Sequence, residues 1–381
     1  MILSQLLPEI ARVCPMNAAM KSKEQTLTYE ELLRQVNSVA GGFEQLSIMP
    51  GDRVALIGNP SPHLVIAEYA AAAIGAVPFA IFPSLAIPEI AHILEDAAPA
   101  AIIFDSTDDK IAELITSAAS AAQHLVSCQS GSAAHSIEDF ISNKPHFVRI
   151  YEADPDDIAL IIYTGGTTGR SKGVMHTHRG LRNWSSMNTR LGSGYNRAKK
   201  SIVANLAHLT GQFVVWTSLI EGGCLIFPDS YPLTAEETVT IIEREQLRNL
   251  GTVGLLLRDI VNLPGIKQRQ LQSIEAISCG GAPISETTLR KAREIFPHAQ
   301  LIEVYSQTES GNFISSFSIN ECMQEERLNR LQSVGKPSHT AAWGQEIFEV
   351  RVVDNAGDDV KSGAAGEIIC RGPSDHARLL E

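Results

Sequence analysis

The sequence predicts an α/β fold built on mostly parallel sheets, and three observations along its 381 residues support this class. Short apolar runs alternate with longer stretches of helical spacing, which is typical of parallel strands flanked by helices. The alternation stops at polar connections near residues 127–136 and Pro145 and then starts again. From Phe348 onward, two β-rich runs separated by turn residues predict a hairpin. The predicted organisation is a first α/β subdomain at residues 1–157, a second at 158–334 and a small β unit at 335–381.

Helices and strands alternate regularly in the first subdomain. Residues 1–13 (MILSQLLPEIARV) predict a short amphipathic helix rather than a signal peptide, because Glu9 interrupts the apolar run and no basic residue precedes it. Thr28 is the expected N-cap of the next helix, and Gly51 and Asp52 precede a compact apolar run that suits a buried strand. The further predicted elements are helix 28–44, strand 53–57, helix 63–74, strand 76–81, helix 88–96 and strand 101–104.

The second subdomain repeats this alternation, and its first apolar run gives a strong strand prediction. The predicted strands are Ile158–Thr164, Ile202–Leu206, Cys224–Phe227, Ile274–Ser278 and Gln300–Tyr305. The predicted helices between them are His178–Leu191, Thr210–Leu219, Thr234–Gln246 and Ser285–Phe296.

The composition excludes several classes of protein. A hydrophobic fraction of 44% and a charged fraction of 19% indicate a folded chain with a buried core. The net charge of −12 argues against nucleic acid or an anionic membrane as a partner. The most apolar stretch, Tyr69–Pro83, is shorter than the roughly 20 residues of a spanning helix and is broken by Pro78. Six cysteines without a CxxC pair favour reduced thiols, and we expect a cytoplasmic monomer or homodimer.

Residues 163–174 (YTGGTTGRSKGV) carry the most informative motif, which follows a predicted strand and precedes a predicted helix. Glycines allow backbone conformations that other residues resist, while threonines and a lysine add hydroxyl donors and a positive charge. Such a loop can surround a polyphosphate. Its spacing differs from that of the P-loop, since Lys172 does not directly follow a glycine and precedes Gly173 rather than Ser or Thr. The phosphate-binding residues expected here are Thr164, Gly165, Gly166, Thr167, Thr168, Gly169 and Lys172.

This loop closely resembles the YTSGTTGxPKGV signature of the adenylate-forming superfamily, which includes acyl- and aryl-CoA synthetases, luciferases and the adenylation domains of peptide synthetases. Four further segments are similar to motifs of that superfamily and occur in the expected order. They are GGAPI at 280–284, VYSQTE at 304–309, SVGKP at 333–337 and GEIICRG at 366–372. The resemblance covers nearly the whole chain and implies the fold of the large N-terminal domain of an acyl-CoA synthetase.

The chain departs from the family pattern at three positions. Gly165 replaces the usual Ser or Thr and removes a hydroxyl, and Ser171 replaces the usual Pro, which leaves the loop less restrained. Ser306 replaces a glycine that often borders the acyl pocket, so its side chain would narrow that pocket. Family members continue past GEIxxRG to a ribose-binding Asp, a hinge and a C-terminal domain with the Lys of the adenylation step. None of these follows Arg371 in this sequence.

The resemblance implies ATP-dependent activation of a carboxylic acid, followed by thioester formation with CoA. The acid would attack the α-phosphate of ATP and release pyrophosphate, so catalysis depends mainly on positioning and electrostatics. By resemblance, Lys172 lies near the outer phosphates, Thr308 bonds the α-phosphate, and Glu309 holds Mg2+ with Thr164 as a second contributor. His208 would gate the acyl pocket and contact the carboxylate. The residues to which the resemblance gives a catalytic role are Lys172, Thr308, Glu309 and His208.

The same resemblance implies the binding surfaces for adenine and for the acid. Tyr305 would stack on adenine, since aromatic faces suit base stacking. The opposite side of the adenine and the rest of the nucleotide site would be formed by Gly281, Ala282, Pro283, Glu303, Val304 and Ser306. The acid pocket would be lined by His208, Leu209, Gly211, Phe213, Val214, Gly280 and Ser306. His176 and His178 are expected to shape the helix after the loop.

Two alternatives to a CoA ligase stay open. A domain that loads a carrier protein with an α-amino acid would place a carboxylate near the AHLTG segment at 207–211, and none is present there. A non-catalytic nucleotide-binding remnant is supported only by the missing C-terminal residues. The sequence does not identify the acid, although the few charged residues near His208 favour an uncharged acyl or aryl tail.

Overall fold

The computed structural model describes residues 3–105, 111, 113–115, 121–143, 150–165, 170–188, 199–324, 333–337, 348–372 and 378–379. The fold is mixed α/β, and the chain divides into two compact units. Unit 1 comprises residues 1–185, 196–232 and 376–381, and unit 2 comprises residues 186–195 and 233–375. No helix in the described ranges is both long enough and apolar enough to cross a membrane.

The strands, in chain order, are β1 (Ala18–Lys21), β2 (Thr26–Thr28), β3 (Arg53–Ile57), β4 (Val77–Ile81), β5 (Ala101–Phe104), β6 (His124–Ser127), β7 (His135–Ser136), β8 (Ile158–Thr164), β9 (Lys172–Thr177), β10 (Lys200–Ile202), β11 (Cys224–Ile226), β12 (Asn249–Val253), β13 (Ala276–Gly280), β14 (Gln300–Gln307), β15 (Asn312–Ser318), β16 (Lys336–Pro337), β17 (Glu349–Val353), β18 (Glu367–Arg371) and β19 (Arg378–Leu379).

The helices are α1 (Leu3–Val13), α2 (Tyr29–Gln45), α3 (Pro62–Ala73), α4 (Ile87–Ala97), α5 (Ile137–Ser142), α6 (His178–Asn188), α7 (Leu209–Glu221), α8 (Ala235–Glu245), α9 (Gly254–Val261), α10 (Glu286–Ile295) and α11 (Ile319–Gln324). Two 3-10 turns lie at Ile266–Gln268 and Thr308–Ser310.

Unit 1 contains an eight-stranded sheet in the order β19-β9-β8-β4-β3-β5-β6-β7. The strands from β8 to β7 run parallel to one another, whereas β9 and β19 are antiparallel additions at one edge. The central strand β4 is buried along its whole length, as expected for a parallel sheet covered on both faces. A smaller four-stranded sheet in this unit has the order β10-β11-β1-β2.

Unit 2 contains a five-stranded sheet and a separate hairpin. Strands β12, β13 and β14 are parallel, and β15 and β16 continue the sheet in antiparallel orientation. Strands β17 and β18 form the antiparallel hairpin predicted after Phe348. The predicted boundary after residue 157 differs from the observed division, because β8 begins directly after it and pairs with β4 in the same sheet.

Local sequence signals explain most element boundaries. Thr28 caps α2 as predicted, and it forms a capping box in which Thr28 and Glu31 bond each other's backbone amides. The strand predicted at Ile202–Leu206 is instead β10, which ends at Ile202. The chain leaves the sheet there because the Asn205 side chain accepts a hydrogen bond from the Ala207 amide at 2.8 Å, which closes a turn.

Candidate functional site

The Gly/Thr-rich loop connects two antiparallel strands of unit 1. Thr164 at the end of β8 lies directly opposite Lys172 at the start of β9. The sequence analysis did not predict β9: residues 172–177 pair with the open edge of β8, which satisfies their backbone groups, and α6 begins at His178, where the predicted helix begins. The predicted loop residues Gly166, Thr167, Thr168 and Gly169 lie outside the described residues.

The two ends of this loop have accessible groups. The Lys172 side chain is exposed, and none of the described residues forms a hydrogen bond or ion pair with it. A Cβ atom built on Gly165 would meet no described atom within 4 Å. Thr164 is half-buried and is the last residue of β8, where the loop begins. An ammonium group without a partner among the described residues, next to a glycine-rich segment, is suited to bind an anion.

His208 is the N-cap of α7, and this position determines which of its ring nitrogens carries the proton. The Thr210 backbone amide donates a hydrogen bond to His208 Nδ1 at 3.2 Å, and the Thr210 hydroxyl lies 3.0 Å from the same atom. Because Nδ1 accepts, the neutral ring carries its proton on Nε2. Although the residue is exposed, desolvation by the surrounding protein lowers its pKa. Nε2 can therefore donate a hydrogen bond to a carboxylate.

The first turn of α7 packs very closely on the segment before it. A Cβ atom on Gly211 would lie 1.4 Å from the Asn205 carbonyl oxygen, so only glycine permits this approach. Leu209 is buried, while Phe213 and Val214 are half-buried. Phe213 packs against Trp184 of α6, with ring centroids 6.1 Å apart. The structure thus places four of the predicted pocket residues (Leu209, Gly211, Phe213 and Val214) on one helix, with an aromatic neighbour, Trp184, that the sequence analysis missed.

His176 and His178 occupy different elements. His176 is a buried residue of β9, before the helix begins. Its ring contacts Trp184 edge-on, with centroids 5.4 Å apart. His178 begins α6. Burial lowers the pKa of each to about 4, so both rings are neutral near pH 7.

A buried polar network of Glu68, Gln212 and Trp216, which the sequence analysis missed, connects α7 to α3. Gln212 Nε2 donates to the Leu206 carbonyl at 2.7 Å and to Glu68 Oε2 of α3 at 3.4 Å. Trp216 Nε1 donates to Gln212 Oε1 at 3.2 Å. Glu68 is fully buried, and desolvation raises its pKa to about 8. Its Oε1 atom has no hydrogen-bond partner in the described part of the chain. Glu68 is therefore a mostly neutral carboxylic acid at pH 7.

The remaining predicted residues lie in unit 2, at the adjoining ends of two parallel strands. Gly280 at the end of β13 lies opposite Val304 of β14, and a Cβ atom on Gly280 would be 2.7 Å from Val304 Cγ2. Gly281 has φ +86°, which turns the chain sharply into Ala282 and Pro283. The two glycines thus bring the turn at 280–283 close to β14.

Strand β14 carries the buried Glu303 and the half-buried Tyr305 and Ser306. Burial raises the pKa of Glu303, and a hydrogen bond from the Ile284 amide acts in the opposite direction. The contact with Ile284 indicates that Glu303 supports the 280–284 turn. The pairing of β14 with β15 shifts register between Tyr305 and Ser306, and such bulges redirect side chains near functional sites.

Thr308 and Glu309 form the 3-10 turn directly after β14. Glu309 is exposed, and its carboxylate has no hydrogen-bond or ion-pair partner among the described residues. In the same residues there is no group of three or more His, Cys, Asp and Glu side chains that could enclose a metal. A single accessible carboxylate suits Mg2+, which keeps several waters and binds one or two protein oxygens together with phosphate. The residues present therefore fit a magnesium–nucleotide complex.

The comparisons with known proteins identify relatives of this arrangement. The chain matches the family described as AMP-binding enzymes over residues 7–376. It is similar to a feruloyl-CoA synthase of an Amycolatopsis species, at 27% identity over 96% of this chain and 68% of that enzyme. It is also similar to the fatty acid–acyl-carrier-protein ligase ScoC of Streptomyces coeruleorubidus, at 24% identity over 96% of this chain and 67% of that ligase.

Among solved structures, the chain is similar to the inhibitor-bound N-terminal domain of FACL13 from Mycobacterium tuberculosis. The TM-score is 0.84 at 22% identity, and the match covers 98% of this chain and 89% of that domain. This similarity confirms the predicted α/β fold.

Proposed function

Because the chain belongs to the family of AMP-binding enzymes, we propose that it activates a carboxylic acid with ATP and that the resulting acyl-adenylate is passed to CoA. One observation carries the proposal: the glycine-rich segment ends in Lys172, which lies opposite Thr164, is exposed and has no partner among the described residues. A loop with these groups binds the phosphates of a nucleotide, and Lys172 neutralises charge on the leaving pyrophosphate.

We propose that residues of unit 2 bind adenosine. Tyr305 supplies an aromatic face for adenine, and the turn at 280–283 supplies a flat backbone surface made possible by Gly281. Thr308 donates its hydroxyl to the α-phosphate, where charge develops in the transition state. Glu309 holds Mg2+, which when bound neutralises phosphate charge. The exposure of Glu309 and the bulge at Tyr305 support these assignments.

His208 is assigned to the acid. Its Nδ1 atom is occupied by the Thr210 amide, so Nε2–H is the group that can hydrogen-bond the substrate carboxylate. A neutral imidazole orients the carboxylate without forming a tight ion pair that would weaken it as a nucleophile. The aromatic ring of Phe213 on the same helix favours an acyl or aryl acid with an uncharged tail.

CoA is the acceptor that the feruloyl-CoA synthase relative favours. A carrier protein is the second candidate, and the similarity to an acyl-carrier-protein ligase favours it. Mass spectrometry of thioester products distinguishes them, with CoA and a phosphopantetheinylated carrier protein offered together.

The first experiment is calorimetry of the protein with ATP and Mg2+, followed by thermal shift with a panel of acyl-sulfamoyl adenosines. These compounds mimic the acyl-adenylate, and a ligand at 100 times its Kd stabilises the folded state by about 2.7 kcal/mol. We expect ATP to bind and one acyl group to give the largest shift. Absence of binding by a folded sample at millimolar ATP would contradict the proposal.

A further inference from the structure

Helix α4 places three polar residues along one edge, beside the stem of the phosphate loop. Glu89, His92 and Asp96 are spaced three and four residues apart, so they share one stripe of the helix. The opposite stripe, which includes Ile90 and Ile93, is buried in the core of the large sheet. Burial of this apolar face makes α4 a fixed support for the three polar side chains.

Ser171, the residue before Lys172, is held by two of these side chains. Its hydroxyl donates a hydrogen bond to Glu89 Oε1 at 2.7 Å, and His92 Nε2 donates to its backbone carbonyl at 3.3 Å. Ser171 is only 7% exposed. The His92 contact is to the carbonyl and not to the hydroxyl, so this is not the arrangement of a nucleophilic serine with a histidine base. The geometry restrains the backbone rather than activating the hydroxyl.

The other end of the loop is held by the third side chain. Tyr163, the residue before Thr164, donates its hydroxyl to Asp96 Oδ2 at 2.6 Å. Its ring also packs on Phe79 of β4, with centroids 5.8 Å apart. Burial and the Asp96 bond both raise the pKa of Tyr163, so its hydroxyl remains a donor. Both residues that flank the loop are therefore tied to the same helix.

We infer that Glu89 and His92 are positioning residues that hold the Ser171 backbone and thereby aim Lys172 at the outer phosphates of ATP. This rests on the proposed function for the identity of the ligand. The family signature that this loop resembles has proline at the position of Ser171, and the proline ring restrains the backbone dihedral φ. This chain has serine at that position, and the two bonds from α4 supply the restraint instead. Lys172 itself has no partner among the described residues, so its direction depends on the backbone that Ser171 sets.

A double-mutant cycle between Glu89 and Ser171 tests the inference. E89A and S171A each remove the same hydrogen bond, so each should weaken ATP binding about tenfold, and the double variant should be no weaker than either one. AMP lacks the outer phosphates, and its affinity should change less than twofold. E89Q keeps an acceptor for the Ser171 hydroxyl and should bind ATP nearly as the wild type does.

Two further variants serve as rescue and control. S171P should restore ATP affinity in the E89A background, because proline restrains the same dihedral without the hydroxyl. It removes no backbone hydrogen bond of Ser171 in the described part of the chain. E95A changes an exposed glutamate of the same helix and should leave ATP binding unchanged. Deuterium exchange in peptides covering residues 163–174 should rise in ligand-free E89A and S171A but not in E95A.

The possible outcomes separate the two proposals. Unchanged ATP affinity in E89A, or a double variant whose loss is the product of the single losses, overturns the positioning role and leaves the proposed function intact. A wild type that binds neither ATP nor AMP overturns the proposed function and the aiming of Lys172 with it. If E89A does not fold, S171A removes the same bond with a smaller change and decides the question. Equal losses for ATP and AMP also overturn the inference.

Discussion

Replacing Glu68 by Gln tests whether a neutral carboxylic acid lies beneath the helix that carries His208. Burial raises the pKa of Glu68 to about 8 in the folded protein, from its ordinary value of 4.5. The folded protein therefore keeps this proton at pH values where the unfolded chain has released it. The stability associated with Glu68 is fully present below about pH 4.5 and is lost as the pH rises through 8. E68Q has no titrating group at this position and should not show that loss.

The size of the effect follows from the two pKa values. A shift of about 3.5 units corresponds to about 5 kcal/mol once Glu68 is fully ionised in both states. Between pH 5 and pH 8 the wild type should lose about 3.5 kcal/mol relative to E68Q. For a unit of this size, that corresponds to about 7–14 °C in Tm. Burying the amide that E68Q introduces changes stability by an amount that does not depend on pH. This amount cancels, because the test uses only how the Tm difference between wild type and E68Q changes with pH.

The assay is differential scanning calorimetry of wild type and E68Q at half-unit steps from pH 5 to pH 8. E44Q makes the same substitution on an exposed residue of α2 and controls for the loss of one surface carboxylate. A Tm difference between wild type and E68Q that stays constant over this range would refute the reasoning. In that case Glu68 would be ionised in the folded state. Its buried charge would then need a stabilising partner other than Gln212.

Three other substitutions probe the site directly. G211A should lower the free energy of unfolding by more than about 2 kcal/mol and abolish acid activation, because the new methyl group would collide with the Asn205 carbonyl. Thermal unfolding measures the first effect and adenylate formation the second. A stable, active variant would contradict the close approach of Gly211 to Asn205. K172A should weaken ATP at least tenfold more than AMP in calorimetry, and equal losses would remove Lys172 from the outer phosphates. E309Q should reduce pyrophosphate exchange about a hundredfold, with partial rescue by excess Mg2+. Its Tm should barely change because Glu309 is exposed, and exchange near the wild-type rate would place the metal elsewhere.

The sequence was most informative where function depends on a contiguous run of residues. The segment at 163–174 indicated a phosphate loop because glycines, hydroxyls and a lysine must follow one another there to surround an anion. The sequence also predicted the start of the next helix at His178, but it did not predict the strand β9 at residues 172–177. Residues 172–177 form a strand because β8 offers them an open edge, and an edge is a property of the assembled sheet.

Local patterns also predicted the helices well. Thr28 caps α2 as expected, since a cap and its amide partner are only a few residues apart. The subdomain boundary was less predictable. It depends on which sheet β8 joins, and β8 pairs with β4, a strand that begins just over eighty residues earlier in the chain.

The sequence by itself determined the α/β class, the residue types of the phosphate loop and the identity of the candidate site residues, because periodicity and motif spacing are local properties. The tertiary structure decided what supports them. Glu68 meets Gln212 across 144 residues, and Glu89 meets Ser171 across 82. No local pattern specifies such pairs, since each depends on the packing of elements whose order in space differs from their order in the chain. The sequence shows that position 171 has serine where the family signature has proline. Only the fold shows that α4 supplies the restraint on Ser171 that we infer in its place.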